Sequence, residues 1–255
     1  MSNVNARRKS LSTIERAFEI IEHIKDVDGA RVSEVAENLE LPKSTAYNHL
    51  STLKQLGYLV KEGDEYHISL QFLDLGGYTA NRKEAYREAL PKLKALARET
   101  GERAQFVVEE NGFGYFIYGY LGDQAVQTDV RMGMRTYLHT TSAGKAILAH
   151  LPPSKVTGIV DERGLPMRTR HSITDREQLE RELDDIRQRG FAFNREERID
   201  GQNAVGAPLV LDGRVIGALS VSGPTNRMKG EWFEKEIPDL LLGTVNELEL
   251  NLSFP

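Results

Sequence analysis

Leu11, Ile14, Phe18, Ile21 and Ile24 recur every three or four residues, the spacing that lines apolar side chains along one face of a helix. Ser12-Thr13-Ile14-Glu15 has the Ser-x-x-Glu form of a capping box, so the pattern predicts a helix that opens here and buries that stripe. The polar, glycine-containing stretch 26–29 ends it. Ser33 can cap a short second helix with Val35, Ala36 and Leu39 inward. Pro42 has no backbone N–H to lose in a first helical turn, which predicts a third helix with Ala46, Leu50 and Leu53 buried and Gly57 as its C-cap. Residues 58–61 and 66–68 then alternate around a polar turn, as two short strands do. The predicted order is helix, helix-turn-helix, two-stranded wing.

Beyond the wing, residues 70–80 and 82–100 are helical in pattern, with Pro91 expected to open a fresh helix and Gly101 to close it. The texture then changes. Residues 104–110 and 113–120 flank the hairpin signal Asn111-Gly112, and 125–130 adds a third strand. Helices follow at 142–151, 153–161 and 175–190, the last opened by Thr174 with Glu177 completing a capping box. A second hairpin, 204–211 and 214–222 around Asp212-Gly213, precedes a long helix at 231–252. Hairpins at both ends with helices between them predict an α+β fold with an antiparallel sheet covered by helices, not a parallel nucleotide-binding sheet.

Composition narrows the function. The chain has 255 residues, room for one large domain or two modest ones, and no cysteine, so disulfides, thiolate zinc sites and cysteine nucleophiles are excluded. A reducing cytoplasm fits. Arg7-Arg8-Lys9 is followed by Glu15, Glu19 and Glu22 rather than an apolar run, which is no signal peptide. No apolar run approaches the ~20 residues of a membrane span. Residues 1–80 carry nine Lys or Arg against twelve Asp or Glu, yet 1–14 and 41–61 each hold three cations and no acid. Such segregation focuses a positive field on one edge of an acidic module.

The third predicted helix leaves Lys43, Ser44, Thr45, Tyr47, Asn48, Ser51 and Lys54 outside its core stripe, none of them acidic. A solvated helix normally mixes Glu with Lys, whereas a helix in a DNA major groove needs hydrogen-bonding side chains for bases and cations for phosphates. Asn48 suits adenine, Lys43 and Lys54 suit phosphate or guanine, and Lys61 sits on the wing. A polar helix of a small bundle is the competing reading; the preceding helix and turn and the following wing favour helix-turn-helix.

Catalytic chemistry is poorly supported. His139, Ser142, Lys145 and Asp200 supply the residue types of a nucleophile, base and orienting carboxylate, but Gly-x-Ser-x-Gly is absent and Ser142 sits where serine commonly caps a helix. Ala143-Gly144-Lys145 imitates the end of a phosphate loop, but the required glycine position is His139. His139, His150 and His171 are 11 and 21 residues apart, not at metal-ligand spacing, so no metal site or other cofactor is expected. A helix starting near Ser142 does offer unpaired N–H groups and the positive end of its dipole to an anion. Ser220 and Ser222 share one strand face, either as satisfied core serines or as pocket residues holding a small polar ligand.

Leu41-Pro42-Lys43-Ser44-Thr45, the run 139–146 and Leu219-Ser220-Val221-Ser222-Gly223-Pro224 resemble the IclR family of transcriptional regulators, in the family's order and spacing over nearly the whole chain. The likeness extends to the family's haloarchaeal branch. It implies a winged helix-turn-helix (1–69), a linker helix (70–88) and a C-terminal GAF-like effector domain (89–255) that binds a small metabolite, usually an organic acid. It further implies a homodimer or homotetramer on palindromic double-stranded DNA near catabolic genes. Carried over by position, the effector would meet Ser142, Ala143, Ser220 and Ser222, with Ala125, Thr128 and Met134 as nearby wall. Asn194 and Ala204 stand where the family often has an acid and a cysteine, which relaxes repulsion of an anion and points to a sugar acid or other polyhydroxy acid. The rival readings are an enzyme fused to a DNA-binding head and a DNA binder without effector.

Overall fold

The computed structural model describes residues 11–254, so Arg7, Arg8 and Lys9 lie outside the described residues. Two compact units part between Thr79 and Ala80. The first contains α1 (Ser12–Val27), α2 (Val32–Asn38), α3 (Lys43–Gln55), a hairpin of β1 (Leu59–Glu62) and β2 (Glu65–Ile68), and most of α4 (Gln71–Asn81). Ile20, Ile24, Val35, Leu50 and Leu59 share its core. As the spacing predicts, α3 buries Ala46, Leu50 and Leu53. Leu56 is the C-cap, and Gly57, at φ +85°, follows it and donates its N–H to the Lys54 carbonyl at 3.0 Å.

Three expectations fail here. The N-cap of α1 is Leu11, without a side-chain bond, so the Ser12–Glu15 box does not form. At α2 the N-cap is Arg31, whose N–H donates to the Glu34 carboxylate at 2.7 Å, and Ser33 lies inside the helix. More consequentially, α1 buries Ile20 and Ile24, whereas Leu11, Ile14 and Phe18 stand 69%, 53% and 58% exposed. Most of the stripe read as core faces outward.

The second unit begins with the end of α4 and α5 (Glu84–Thr100) and continues through β3 (Arg103–Glu110), β4 (Phe113–Leu121), β5 (Arg135–Thr136), α6 (Ser142–Ala149), α7 (Pro153–Arg163), α8 (Arg176–Arg189), β6 (Ala192–Arg195), β7 (Gln202–Leu211), β8 (Arg214–Pro224) and α9 (Ile237–Ser253). The strands form one antiparallel sheet, ordered β5-β4-β3-β8-β7-β6. Phe106, Leu219 and Val221 pack with α5 and α9 on one face. Val107 and Ala218 pack with α6, α7 and α8 on the other. The mixed α+β class is the expected one. Both hairpins turn where the sequence signals them, with positive φ at Asn111-Gly112 and Asp212-Gly213.

Several boundaries differ. The segment 125–130 is a loop, and the sheet edge is taken instead by the two residues of β5, paired to Gly114 and Tyr115. Strand β6 was not expected. Pro91 lies inside α5, where the burial of Ala89, Leu93 and Leu96 holds the helix together across the missing N–H. The expected linker 70–88 is not one helix: α4 ends at Asn81, and Ala85 and Tyr86 of α5 belong to the second unit's core. Asp175, not Thr174, caps α8, accepting the Gln178 N–H at 2.9 Å. A single π-helical turn, Trp232–Glu236, precedes α9. No helix among the described residues is long and apolar enough to cross a membrane.

Candidate functional site

In the first unit, burying Ala46, Leu50 and Leu53 turns the remaining positions of α3 outward. Lys43, Ser44, Tyr47, Asn48 and Lys54 are exposed, and Thr45 and Ser51 are half-buried. Lys61 is exposed on β1, its ammonium 5.6 Å from the Tyr66 ring centre. Among the described residues Lys43, Lys54 and Lys61 form no ion pair, whereas Arg16, Lys25 and Arg31 of the same unit all do. The cations of the helix-turn-helix and wing are thus the ones left uncompensated, which is what phosphate contacts require.

In the second unit, strand register builds a pocket. Ser220 of β8 lies opposite Gln105 of β3 and Gly206 of β7, and Ser222 lies opposite Arg103 and Ala204. The missing side chain of Gly206 makes room for a helix: a Cβ there would sit 2.6 Å from the Ala143 nitrogen. Gly144 lets α6 close on the preceding turn in the same way, since a Cβ would sit 2.1 Å from the Leu138 carbonyl oxygen. Thr141 caps α6 by accepting the Gly144 N–H at 3.0 Å, and the Lys145 N–H closes the first helical bond to the Thr141 carbonyl at 2.9 Å. The N–H groups of Ser142 and Ala143 belong to the turn that a helix cannot satisfy internally. They stand beside Ser220, at the positive end of the helix dipole.

The resulting cavity holds about 390 Å³, open solvent at its mouth included, and is lined by Thr128, Ser142, Ala143, Asn194, Ala204, Ser220 and Ser222, together with Gln105, Thr141 and Arg198. The first seven are residues the sequence singles out. Met134 lines a neighbouring cleft instead, and Ala125, whose N–H bonds to the Gly122 carbonyl, lines neither. Asn194 is fixed: its amide donates to the Thr140 carbonyl at 2.6 Å and its oxygen accepts the Glu197 N–H at 3.2 Å. Ser222 Oγ lies 3.5 Å from Gln105 Oε1.

Gln105, Gln202 and Arg198 are polar lining residues that sequence reasoning missed, as it did Phe116 and Val130. Gln105 sits in a strand of apolar neighbours, and only the register with Ser220 reveals it. Arg198, with its side chain 11% exposed, meets Asp129 at 3.3 Å. Arg103 donates to Thr128 and to the Val130 carbonyl, holding the 125–130 loop over the pocket. Burial lowers the Arg103 pKa from its ordinary value, and the nearby Arg198 charge lowers it further.

The residues of the catalytic reading are engaged separately. His139 Nε2 lies 3.1 Å from the Pro166 carbonyl oxygen, and burial lowers its pKa, favouring the neutral ring. Lys145 pairs with Glu197 and Glu182. Asp200 gathers with His171 and Glu196 within 4.8 Å, a grouping the sequence did not show, but His171 Nε2 is bonded to the Arg170 guanidinium at 3.0 Å. No nucleophile, base and carboxylate come together in these contacts.

The model of the IclR helix-turn-helix domain matches residues 13–63, and that of the bacterial transcriptional regulator IclR C-terminal domain matches residues 78–249. The chain belongs to the IclR family of transcriptional regulators. This IclR-family chain is 31% identical, over 97% of its length and 96% of the relative's, to a probable HTH-type transcriptional regulator, ArcR, of Halobacterium salinarum. It is 30% identical to the HTH-type transcriptional regulator KdgR of Dickeya chrysanthemi, over 89% of this chain and 75% of that one. The Thermotoga maritima IclR crystal structure superposes with a TM-score of 0.80 at 28% identity, covering 96% of this chain and all of the other. An IclR homolog from Microbacterium hydrocarbonoxydans, complexed with 4-hydroxybenzoate, shares the fold with a TM-score of 0.79 at 22% identity, covering 96% and 99%. The IclR-family chain is therefore a DNA-binding transcriptional regulator with a C-terminal effector domain, not an enzyme.

Proposed function

We propose that this regulator senses an organic acid, and more narrowly a sugar acid or other polyhydroxy acid, in the pocket between the start of α6 and strands β3, β7 and β8. The juxtaposition that carries the reading is the α6 N-terminus lying over Gly206 beside Ser220, Ser222 and Arg198. The Ser142 and Ala143 N–H groups and the dipole favour a carboxylate. The two serines and Gln105 offer hydrogen bonds to hydroxyls, and Asn194 stands in the wall without the charge an acid would bring. Thr128 and Ala204 complete the lining. Relatives support acid chemistry in general: 4-hydroxybenzoate is the ligand named for the Microbacterium homolog.

The output is sequence-specific binding through α3 and β1, with Lys43, Lys54 and Lys61 on phosphates, Ser44, Thr45, Tyr47, Asn48 and Ser51 toward base edges, and Arg7, Arg8 and Lys9 as further cations from the sequence alone. The working form is a cytoplasmic homodimer, or a tetramer built from it, on a palindromic operator of catabolic genes. The outward stripe Leu11, Ile14 and Phe18 on α1 supports self-association, because three large apolar side chains at helical spacing gain by being covered.

A thermal-shift screen of the full-length protein against organic and sugar acids tests the reading. A true effector at about a hundred times its Kd stabilises by ~2.7 kcal/mol. It should also change affinity for duplexes from the regulator's own upstream region. Absence of any stabilising acid refutes the effector class.

A further inference from the structure

Beside the effector pocket lies a second cleft of about 560 Å³, open solvent at its mouth included. Arg135, Arg168 and Arg198 line it with Thr136 and Tyr137, and no carboxylate does. Arg198 lines both cavities, so they share a wall. Among the described residues, Arg198 has only the exposed Asp129 as an ion-pair partner, while Arg135 and Arg168 have none. The Arg135 guanidinium rests over the Phe113 ring, 4.9 Å from its centre. Other arginines of this unit meet carboxylates, as Arg176 does Asp161, Arg187 Asp184 and Arg227 Glu102; what sets this cleft apart is that three guanidinium side chains line it together and no acid does. Arg135 and Arg168 are exposed at the cleft and leave their guanidinium forks open there, and such forks match carboxylate and phosphate oxygens.

We propose that this cleft is a subsite for a second anionic group of the effector. The effector is then a doubly anionic acid, with one carboxylate against the start of α6 and a phosphate or second carboxylate among Arg135, Arg168 and Arg198. This rests on the acid reading of the first pocket and adds the charge class of the ligand. It also accounts for Arg198 being largely buried at the shared wall, where it can meet either end of the bound molecule.

Calorimetric titration of the full-length protein with gluconate, glucarate and 6-phosphogluconate is the test. The three acids share a C1 carboxylate and a polyol chain and differ at C6, which is a hydroxymethyl, a carboxylate or a phosphate ester. At about 0.3 M NaCl, where long-range attraction is screened, at least one doubly anionic acid should bind tenfold or more tighter than gluconate, and which of the two does so identifies the second group. The Arg135→Gln/Arg168→Ala variant should reduce that ratio to within twofold, and Arg168→Lys should keep part of it. Equal affinities for all three acids in the wild type, or a preference that survives the double substitution, overturns the proposal. If none of the three binds, the sugar-acid reading of the first pocket fails separately, and inorganic phosphate then judges the cleft. Phosphate binding by the wild type that the double variant loses supports the subsite; equal or absent binding in both overturns it.

Discussion

At the scale of single residues, Lys145 carries the largest electrostatic consequence. Its side chain is 2% exposed, and its ammonium meets Glu197 at 2.7 Å and Glu182 at 3.3 Å. Burial pushes the Glu197 carboxyl up from the usual range, against the opposing pull of Lys145. A carboxyl raised in the folded state holds a proton that the unfolded chain has released, so its contribution to stability is complete below the ordinary carboxylate pKa and is lost as pH rises through the raised value. Lys145→Met leaves the buried Glu197 carboxylate without its cation, while Glu182 keeps Arg189 at 2.9 Å, and breaking such a buried pair costs about 3–5 kcal/mol. Urea denaturation at neutral pH should show a loss of that order, and the loss should shrink at acidic pH as Glu197 takes up a proton. A loss equal at both pH values would show that Glu197 is not the group involved. The sequence shows Lys145 in a false phosphate loop and a catalytic reading but not as the centre of an ion-pair cluster, because its partners lie 37 and 52 positions away.

Elements were legible where periodicity outlasts noise. The thirteen residues of α3 bury the stripe that spacing predicts, and both glycine-containing turns place their hairpins. Strand β5 has two residues, too few to display alternation, and the four of β6 are not flanked by the short hairpin turn that marks the equally short wing strands, so neither sheet edge shows in the sequence. The 125–130 segment alternates without pairing, because the Arg103 side chain takes up the Val130 carbonyl that a strand partner would use. Pocket residues that come from the motifs can be named from the sequence; Gln105 requires the register, and Arg198, in the loop between β6 and β7, requires the folded chain. For α3, Lys43→Ala should weaken binding to specific and unrelated duplexes alike and lower the salt slope by about one. Asn48→Ala should instead relax preference at particular bases by about 1–3 kcal/mol. Gel-shift titrations on the operator and on scrambled DNA separate the two, and unchanged binding by both variants would remove α3 from the groove. At α6, Gly206→Ala places a Cβ 2.6 Å from the Ala143 nitrogen. It should cost about 1–3 kcal/mol of stability and push the helix start out of reach of the ligand, which calorimetry would register as weakened acid binding.

For the whole molecule, the difficulty is that residues 1–80 carry twelve acids against nine cations, while affinity for DNA derives chiefly from neutralised phosphates. Among the described residues a single head presents only Lys43, Lys54 and Lys61 as lysines or arginines without an ion pair, and three such contacts hold DNA weakly. A second copy doubles those contacts and makes the second binding event intramolecular, raising avidity by about 10²–10⁴ without any new contact. The same requirement gives a use to the α1 stripe, which the sequence presents as a core face and the fold leaves outside: a partner copy can cover it. Phe18 is 58% exposed, so Phe18→Glu costs the isolated fold little and places a charge where two copies would meet. Sedimentation equilibrium should show this variant shifted toward monomer, and operator affinity should fall by a factor within that avidity range, with the salt slope roughly halved. A variant that stays associated and binds its operator as the wild type does would place the interface elsewhere, and the outward stripe of α1 would need another explanation.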